Sequence, residues 1–465
     1  MPDTATATTL RVTDKYSGET IGELPVADAA AVDRAVSLAR DAFAAWSSTP
    51  AHKRSAILRR AAELIETRTQ EIATLIAREA GKAWKYAIGE VARSVETFTF
   101  SAEEAKRIHG ETVPMDASVF GEKRVGFYTR VPLGVVSAIT PFNFPLNLVA
   151  HKVGPALAAG NTVVLKPAEE TPLTAVRMAE CFREAGLPDG VLEIIHGDGP
   201  TTGEALVRHP VPAKVTFTGS PPVGERILAI AGLKRVTLEL GNNSGAIVEA
   251  DANVDVALPR TVMSAFSNSG QVCLSLQRLY VQEAIFDEFL GRFVAATNAL
   301  KVGNPLDQDC DVGPMISDDA ADRADEWIKD AISQGATVVA GGRRQGRTIW
   351  PTVITNTTPD MNVMCREAFA PLVCVIPYRD FDQALRLLGD TPYGLQAGVY
   401  TNDLRKAFRA VSALDMGGIM VNDTSIFRVD HMPYGGNRMS GVGREGVRYA
   451  VEEMTNIKFV CFNLE

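Results

Sequence analysis

Six cysteines in 465 residues are too sparse for a disulfide framework, and none forms a CxxC pair, so neither disulfides nor a zinc site is indicated. A free, reactive thiol persists in a reducing compartment, and a cytoplasmic location is expected. Blocks of Lys and Arg are also missing. With a net charge of -9, the clustered cations that nucleic-acid phosphates require are not available, which excludes nucleic acid as the expected partner. No apolar run approaches the roughly 18 residues of a membrane helix, so no membrane span is expected. Met1 to Thr9 has neither the cationic start nor the apolar core of a signal peptide and reads as a frayed end. Tandem repeats and low-complexity segments are absent.

What is present is an ordinary globular composition, 46% hydrophobic and 22% charged. The length predicts about two or three domains. Asp28 to Leu75 reads as helices: Val32, Val36, Ala39 and Phe43 recur at helical spacing, as do Ile57, Leu58, Ala61, Ala62 and Ile65. From Val135 short β-branched runs alternate with helices. Val135–Ile139, Thr162–Lys166, Val191–Ile195 and Lys214–Thr218 read as strands. The helix after Lys166 has clear punctuation, with Thr171 placed to cap it, Pro172 in its first turn, and Gly186 and Pro188 to stop it. This alternation predicts a doubly wound parallel sheet. A second α/β section runs from about Gly241 to Asp430, with helical patterns at Phe286–Leu300 and Ala320–Ile332. Val125–Val135 and Thr455–Leu464 alternate apolar and polar residues and predict strands that pair with each other or with another subunit.

Open parallel sheets bind ligands beyond the carboxyl ends of their strands. One such loop, Gly197-Asp198-Gly199-Pro200-Thr201-Thr202-Gly203, is like a dinucleotide turn without matching GxGxxG; a plain Gly-rich connection explains it equally well. Another, Thr218-Gly219-Ser220, precedes a helix whose N-terminus would favour phosphate; Ser220 adds a hydroxyl there, or serves only as an N-cap. Lys166 and Glu169 are either ribose contacts or solvated loop charges.

Four further segments carry chemistry. Pro141-Phe142-Asn143-Phe144-Pro145 is a stiff loop presenting one side-chain amide. Leu238-Glu239-Leu240-Gly241 sets an acid in an apolar run. Gly270-Gln271-Val272-Cys273 follows, with the cysteine 34 positions after that acid, and then Glu367-Ala368-Phe369-Ala370-Pro371. Alone, the cysteine reads as inert core and the glutamate as a paired structural acid. The full set in this order resembles the aldehyde dehydrogenase superfamily over nearly the whole chain, and is closest in feel to lactaldehyde and semialdehyde dehydrogenases.

The resemblance implies a Rossmann-like cofactor domain (1–112 and 133–240), an α/β catalytic domain (241–440) and a small β oligomerisation extension (113–132 and 441–465). It implies oxidation of an aldehyde to a carboxylic acid through a thioester on Cys273, in a homodimer or homotetramer. Asn143 and the Cys273 backbone N–H would form the oxyanion hole, and Glu239 would activate water. Lys166 and Glu169 would hold the adenosine ribose, Gly219 and Ser220 the pyrophosphate, and Glu367 with Phe369 the nicotinamide ribose, with Gly199 and Gly203 shaping the nearby turn. A carboxylate at Glu169 accepts from ribose hydroxyls and repels a 2′-phosphate, which favours NAD over NADP. Glu239 argues against transfer of the acyl group to coenzyme A, and the presence of Cys273, Glu239 and Asn143 argues against a catalytically silent relative. Such a thiol must ionise to react, so its surroundings are expected to lower its pKa, while those of Glu239 raise it.

Departures from the family pattern point to a subgroup: Asn242-Asn243 after Gly241, Ala368 and Ala370 around Phe369, and Asn437-Arg438-Met439 after Gly436. His151 and Asn147 stand where relatives acting on apolar aldehydes place an aromatic and an aliphatic residue. With Phe144, and with Arg428 and His431 from the loop Phe427–His431, they form the expected substrate wall, suited to a hydroxy-aldehyde, semialdehyde or anionic aldehyde. The plainer readings are that Arg428 binds a neighbouring carboxylate and that His151 is a satisfied core histidine.

Overall fold

The computed structural model describes residues 9–465. The segment expected to fray lies outside the described residues up to residue 8; Thr9 opens a strand, Thr9–Thr13, paired antiparallel with Thr20–Pro25.

Five short β-branched runs build a parallel sheet in the order Arg235–Glu239, Lys214–Thr218, Val135–Ile139, Thr162–Lys166, Leu192–Ile194. Successive side chains along a strand face opposite ways, and each face has its own core. Val136, Ala138, Val163 and Leu165 pack under the helices Ala51–Thr67, Trp84–Glu104, Asn147–Ala159 and Leu173–Glu184. Val135, Ile139 and Val164 face the helix Ala29–Ser47 on the other side. The chain winds outward from Val135–Ile139 in one direction, then returns to fill the other side. The switch point therefore falls between Val135–Ile139 and Lys214–Thr218.

A second sheet of seven strands, Gly245 to Val421, is parallel except for Thr337–Ala340 at one edge. A third, small sheet pairs Arg124–Pro132 antiparallel with Thr455–Asn463 along their whole lengths, with Thr112–Val113 on the outer side. The two alternating runs thus pair with each other. The terminal segment 441–465 divides. Gly441–Val442 joins the first sheet beside Leu238 and Glu239, and Val447–Glu453 is a helix against Asn147–Ala159. Only Thr455–Asn463 leaves for the small sheet.

The Leu173–Glu184 helix is capped differently from the sequence expectation. Thr171 turns its hydroxyl to the Phe142 carbonyl, while the buried Glu79 carboxylate accepts from the backbone N–H groups of Leu173 and Thr174. A carboxylate satisfies two of the orphan donors at once, and its charge suits a helix N-terminus. Glu90 does the same for the Asn147 helix, accepting from the N–H groups of Leu146 (2.9 Å) and Asn147 (3.1 Å) while its other oxygen meets the buried Lys82 ammonium. Glu90→Ala is expected to lower stability by about 3–5 kcal/mol, since it leaves Lys82 charged, buried and unpaired. The measurement is the denaturant midpoint, and a midpoint unchanged from the parent would rule the pair out as a keystone of this helix.

Candidate active site

The two large sheets present opposite ends to each other. The first contributes loops that leave its strands: Thr140–Pro145, Gly219–Ser220 and Leu240–Gly241. The second contributes segments that enter its strands: Cys273 lies shortly before Arg278–Gln282, and Glu367–Ala370 lies just before Leu372–Tyr378. Between them lies a cavity of about 740 Å³ whose wall includes Asn143, Gly219, Ser220, Cys273, Glu367 and Phe369.

Cys273 is presented by a strained turn. Asn268 (φ 50°) and Ser269 (φ 56°) are left-handed, and Gly270 (φ 68°) continues the run. A Cβ on Gly270 would lie 2.0 Å from the Ala370 carbonyl oxygen, so only glycine fits. Hydrogen bonds hold the turn: Asn143 Nδ2 donates to the Gln271 carbonyl (2.9 Å), Asn268 Nδ2 to the carbonyls of Asn143 and Gln271 (both 3.2 Å), and Ser269 Oγ to the Gly313 carbonyl (2.8 Å). The Cys273 sulfur sits where the cavity meets an apolar cluster of Phe144, Ile426, Met432 and Tyr434, with Tyr434 Oη 3.1 Å away.

Burial is the strongest influence on the thiol. It pushes Cys273 up to about 11, against the Tyr434 hydroxyl and the Arg428 charge, which favour ionisation. The expected lowered pKa is therefore not found, because desolvation in the packed seam outweighs the nearby donors. Glu239 is as expected: burial first, and then Glu445, raise it well above the usual carboxylate range. Among the described residues neither of its oxygens has a hydrogen-bond partner. Glu367 is pushed up to about 7 by burial while accepting from the Asn242 N–H at 3.0 Å.

Other anticipated residues lie apart from the cavity wall. Lys166 and Glu169 pair at 3.4 Å at the end of the Thr162–Lys166 strand, and a Cβ on Gly203 would lie 3.6 Å from the Lys166 side chain. Gly199 opens the Gly199–Gly203 helical turn, which Asp198 caps at the Thr201 N–H. His151 and Asn147 do not form a wall of this cavity. Both donate to Asp430, from His151 Nε2 at 2.9 Å and Asn147 Nδ2 at 3.1 Å, and Arg93 pairs with the same carboxylate. A buried carboxylate gathers every donor in reach. Arg428 meets Glu445 at 3.2 Å, and Glu445 meets Lys152 at 2.8 Å. His431 is exposed, with its ring 4.9 Å from that of Phe100. Tyr434, Glu445 and Lys152 were not singled out from the sequence. No spacing or motif marks Glu445 or Lys152.

A profile of the aldehyde dehydrogenase family matches residues 3–460. The chain belongs to the aldehyde dehydrogenase family. It is 47% identical over 459 residues to the 3-sulfolactaldehyde dehydrogenase of Priestia aryabhattai, spanning 99% of this chain and 96% of that one. The crystal structure of an aldehyde dehydrogenase from Physcomitrella patens in complex with the reaction product succinate matches with a TM-score of 0.96 at 39% identity, over 99% of this chain and 96% of that chain. The glyceraldehyde-3-phosphate dehydrogenase of Methanocaldococcus jannaschii, complexed with NADP, matches at 0.94 and 37%, over 98% and 99%. This aldehyde dehydrogenase is thus an NAD(P)-dependent oxidoreductase acting on aldehydes, on the doubly wound α/β fold expected from its sequence.

The residues present fit a nicotinamide dinucleotide. The loops at the switch point form one side of the cavity, and Gly219 leaves the backbone bare there, where a Cβ would meet the Phe217 ring at 2.3 Å. The helix behind Ser220 begins at Pro221 and Pro222, which have no N–H to offer a phosphate, so the Ser220 hydroxyl, which makes no capping bond, is the more useful donor. Among the described residues no helix is long and apolar enough to cross a membrane.

Proposed function

We propose that this enzyme oxidises a small polar aldehyde, anionic or hydroxylated, to its carboxylic acid through a thioester on Cys273, with NAD as acceptor. The observation that supports this reading is a sulfur opening onto the cavity between the sheets, within electrostatic reach of a buried carboxylate, Glu239, that has no hydrogen-bond partner among the described residues. Lys166 and Glu169 would hold the adenosine ribose, Gly219 and Ser220 the pyrophosphate, and Glu367 with Phe369 the nicotinamide ribose. Gly199 and Gly203 would shape the turn beside Lys166. When bound, the dinucleotide supplies the hydride acceptor.

The Cys273 sulfur adds to the carbonyl carbon, and the carbonyl oxygen becomes an alkoxide. Asn143 spends one N–H on Gln271, leaving its second for that oxygen, together with the Cys273 backbone N–H. Donors aimed at a developing alkoxide contribute about 3–4 kcal/mol. Once the adduct's hydride has gone to that acceptor, the carbon is left as a thioester on Cys273, and water then releases the acyl group. Glu239, with its pKa raised, takes the water's proton, and the thiolate leaves. Hydrolysis rather than acyl transfer follows from having that base.

The substrate reading rests on charge. In the buried ion-pair cluster that includes Arg428, Lys152 and Arg428 pair with Glu445 and Arg93 with Asp430, three cations against two carboxylates, while burial favours the neutral forms of Glu239 and His151. His151 Nδ1 and Arg428 Nε are buried without hydrogen-bond partners among the described residues. Relatives with names or bound molecules that are a sulfonate, a carboxylate or a phosphate agree with this polarity.

A homodimer or homotetramer is proposed from the small sheet, where Ile457, Phe459 and Phe462 are exposed. A cytoplasmic location suits chemistry that needs a free thiol.

Cys273→Ala is expected to abolish turnover. Glu239→Gln should give one equivalent of NADH and then stall, and in the parent enzyme deacylation should rise with pH as Glu239 loses its proton. A stopped-flow trace of Glu239→Gln without a burst counts against this role. Arg428→Ala should raise the KM of anionic aldehydes at least tenfold more than that of neutral ones of equal size, with NAD outperforming NADP in the same initial-rate assays; equal effects on both aldehydes would remove the anion site. Light scattering should read a mass two or four times that of the chain, and a monomer would refute the assembly.

A further inference from the structure

Tyr434 packs with Cys273 in one apolar cluster. Its ring is 3% exposed, its hydroxyl lies 3.1 Å from Cys273 Sγ, and the Arg428 guanidinium lies 3.6 Å from the centre of the same ring. Arg428 is itself fixed by Glu445, and Glu445 by Lys152. A phenylalanine would fill the same volume and donate nothing.

We propose that Tyr434 is a catalytic residue whose O–H donates to the Cys273 sulfur as the thiol ionises, and that Arg428 is a positioning residue that holds the phenol aimed at the sulfur and places a positive charge behind it. The thiol proton passes to water in the cavity that Cys273 lines. The sulfur then carries the negative charge and is only an acceptor, so the shared hydrogen must lie on the tyrosine oxygen. The contact changes from a weak thiol–hydroxyl pairing to a charge-assisted bond, roughly twice as strong. It therefore stabilises the thiolate over the thiol.

The surroundings fit a donor rather than a base. Burial raises Tyr434 well above the usual phenol value, so it stays protonated. Of the charged and titratable groups facing Cys273, Tyr434 and Arg428 favour the thiolate, while Glu367 and Glu239 oppose it. Removing the hydroxyl takes away the largest of the favourable contributions.

The proposal rests on Cys273 as the nucleophile, and its test separates the two. Iodoacetamide modification of Cys273, followed by mass spectrometry of its peptide as a function of pH, reads thiol ionisation without turnover. Tyr434→Phe is expected to move the inflection up, so that the modification rate at a fixed pH below it falls about tenfold or more. 3-Fluorotyrosine at position 434, a more acidic donor of nearly the same size, is expected to move it down. Arg428→Lys, which keeps the charge and loses the stacked plane, should give an intermediate upward shift. An inflection unmoved by Tyr434→Phe and by 3-fluorotyrosine overturns the proposal, and the second variant decides the matter if the first does not fold. Retained turnover in Cys273→Ala would instead overturn the nucleophile assignment.

Discussion

The Gln271 carbonyl oxygen, buried at the seam of two sheets, accepts hydrogen bonds from Asn143 and Asn268, and the geometry of the site follows from that convergence. One donor comes from a loop of the first sheet and the other from the turn that carries the cysteine, so elements of both sheets are referenced to a single atom. The left-handed residues before Cys273 cost on the order of 1–3 kcal/mol each, and these bonds, with the Ser269 contact to Gly313, offset that cost. The resulting kink directs a sulfur toward the loops that leave the neighbouring sheet.

Enclosing that seam has an electrostatic consequence that touches several groups at once. Burial lifts Cys273, Glu239 and Glu367 together, because each is an acid whose charged form has lost water. For a base that must take a proton from water, the shift brings its pKa toward the working range. For a nucleophile it is an obstacle, and the cation and phenol packed behind the sulfur oppose it. Burial alone would lower His151 as well, which its bond to Asp430 resists. Seen this way, Lys152, Arg428 and Glu445 keep a dry site from becoming wholly uncharged.

Much of the fold was legible because its signals are local. The β-branched runs from Val135 to Thr218, the helical spacing from Val32 onward, and the alternation in Thr455–Leu464 depend on neighbours within a few positions. Asn143 and Cys273 were legible as motifs, and the structure brings them to one wall. What escaped depends on partners far along the chain. Thr171 looked like a cap, but Glu79, 94 positions before Leu173's N–H, takes that work. His151 and Asn147 looked like a polar wall, but their partner Asp430 lies about 280 positions later. The raised thiol pKa escaped for the same reason, since desolvation is a property of packing and no motif encodes it.

The two-residue strand Gly441–Val442 gives a last consequence. By pairing antiparallel with Glu239 and Leu238, it turns what would be the rim of the first sheet into an interior strand. An unpaired rim is a template for pairing with other chains. Here it would also leave the backbone of Leu238 and Glu239 without bonding partners on one side. The polypeptide thus returns, after building an entire second sheet, to seal the ladder on which Glu239 rides, so the setting of that carboxylate is tied to segments some two hundred positions further along the chain.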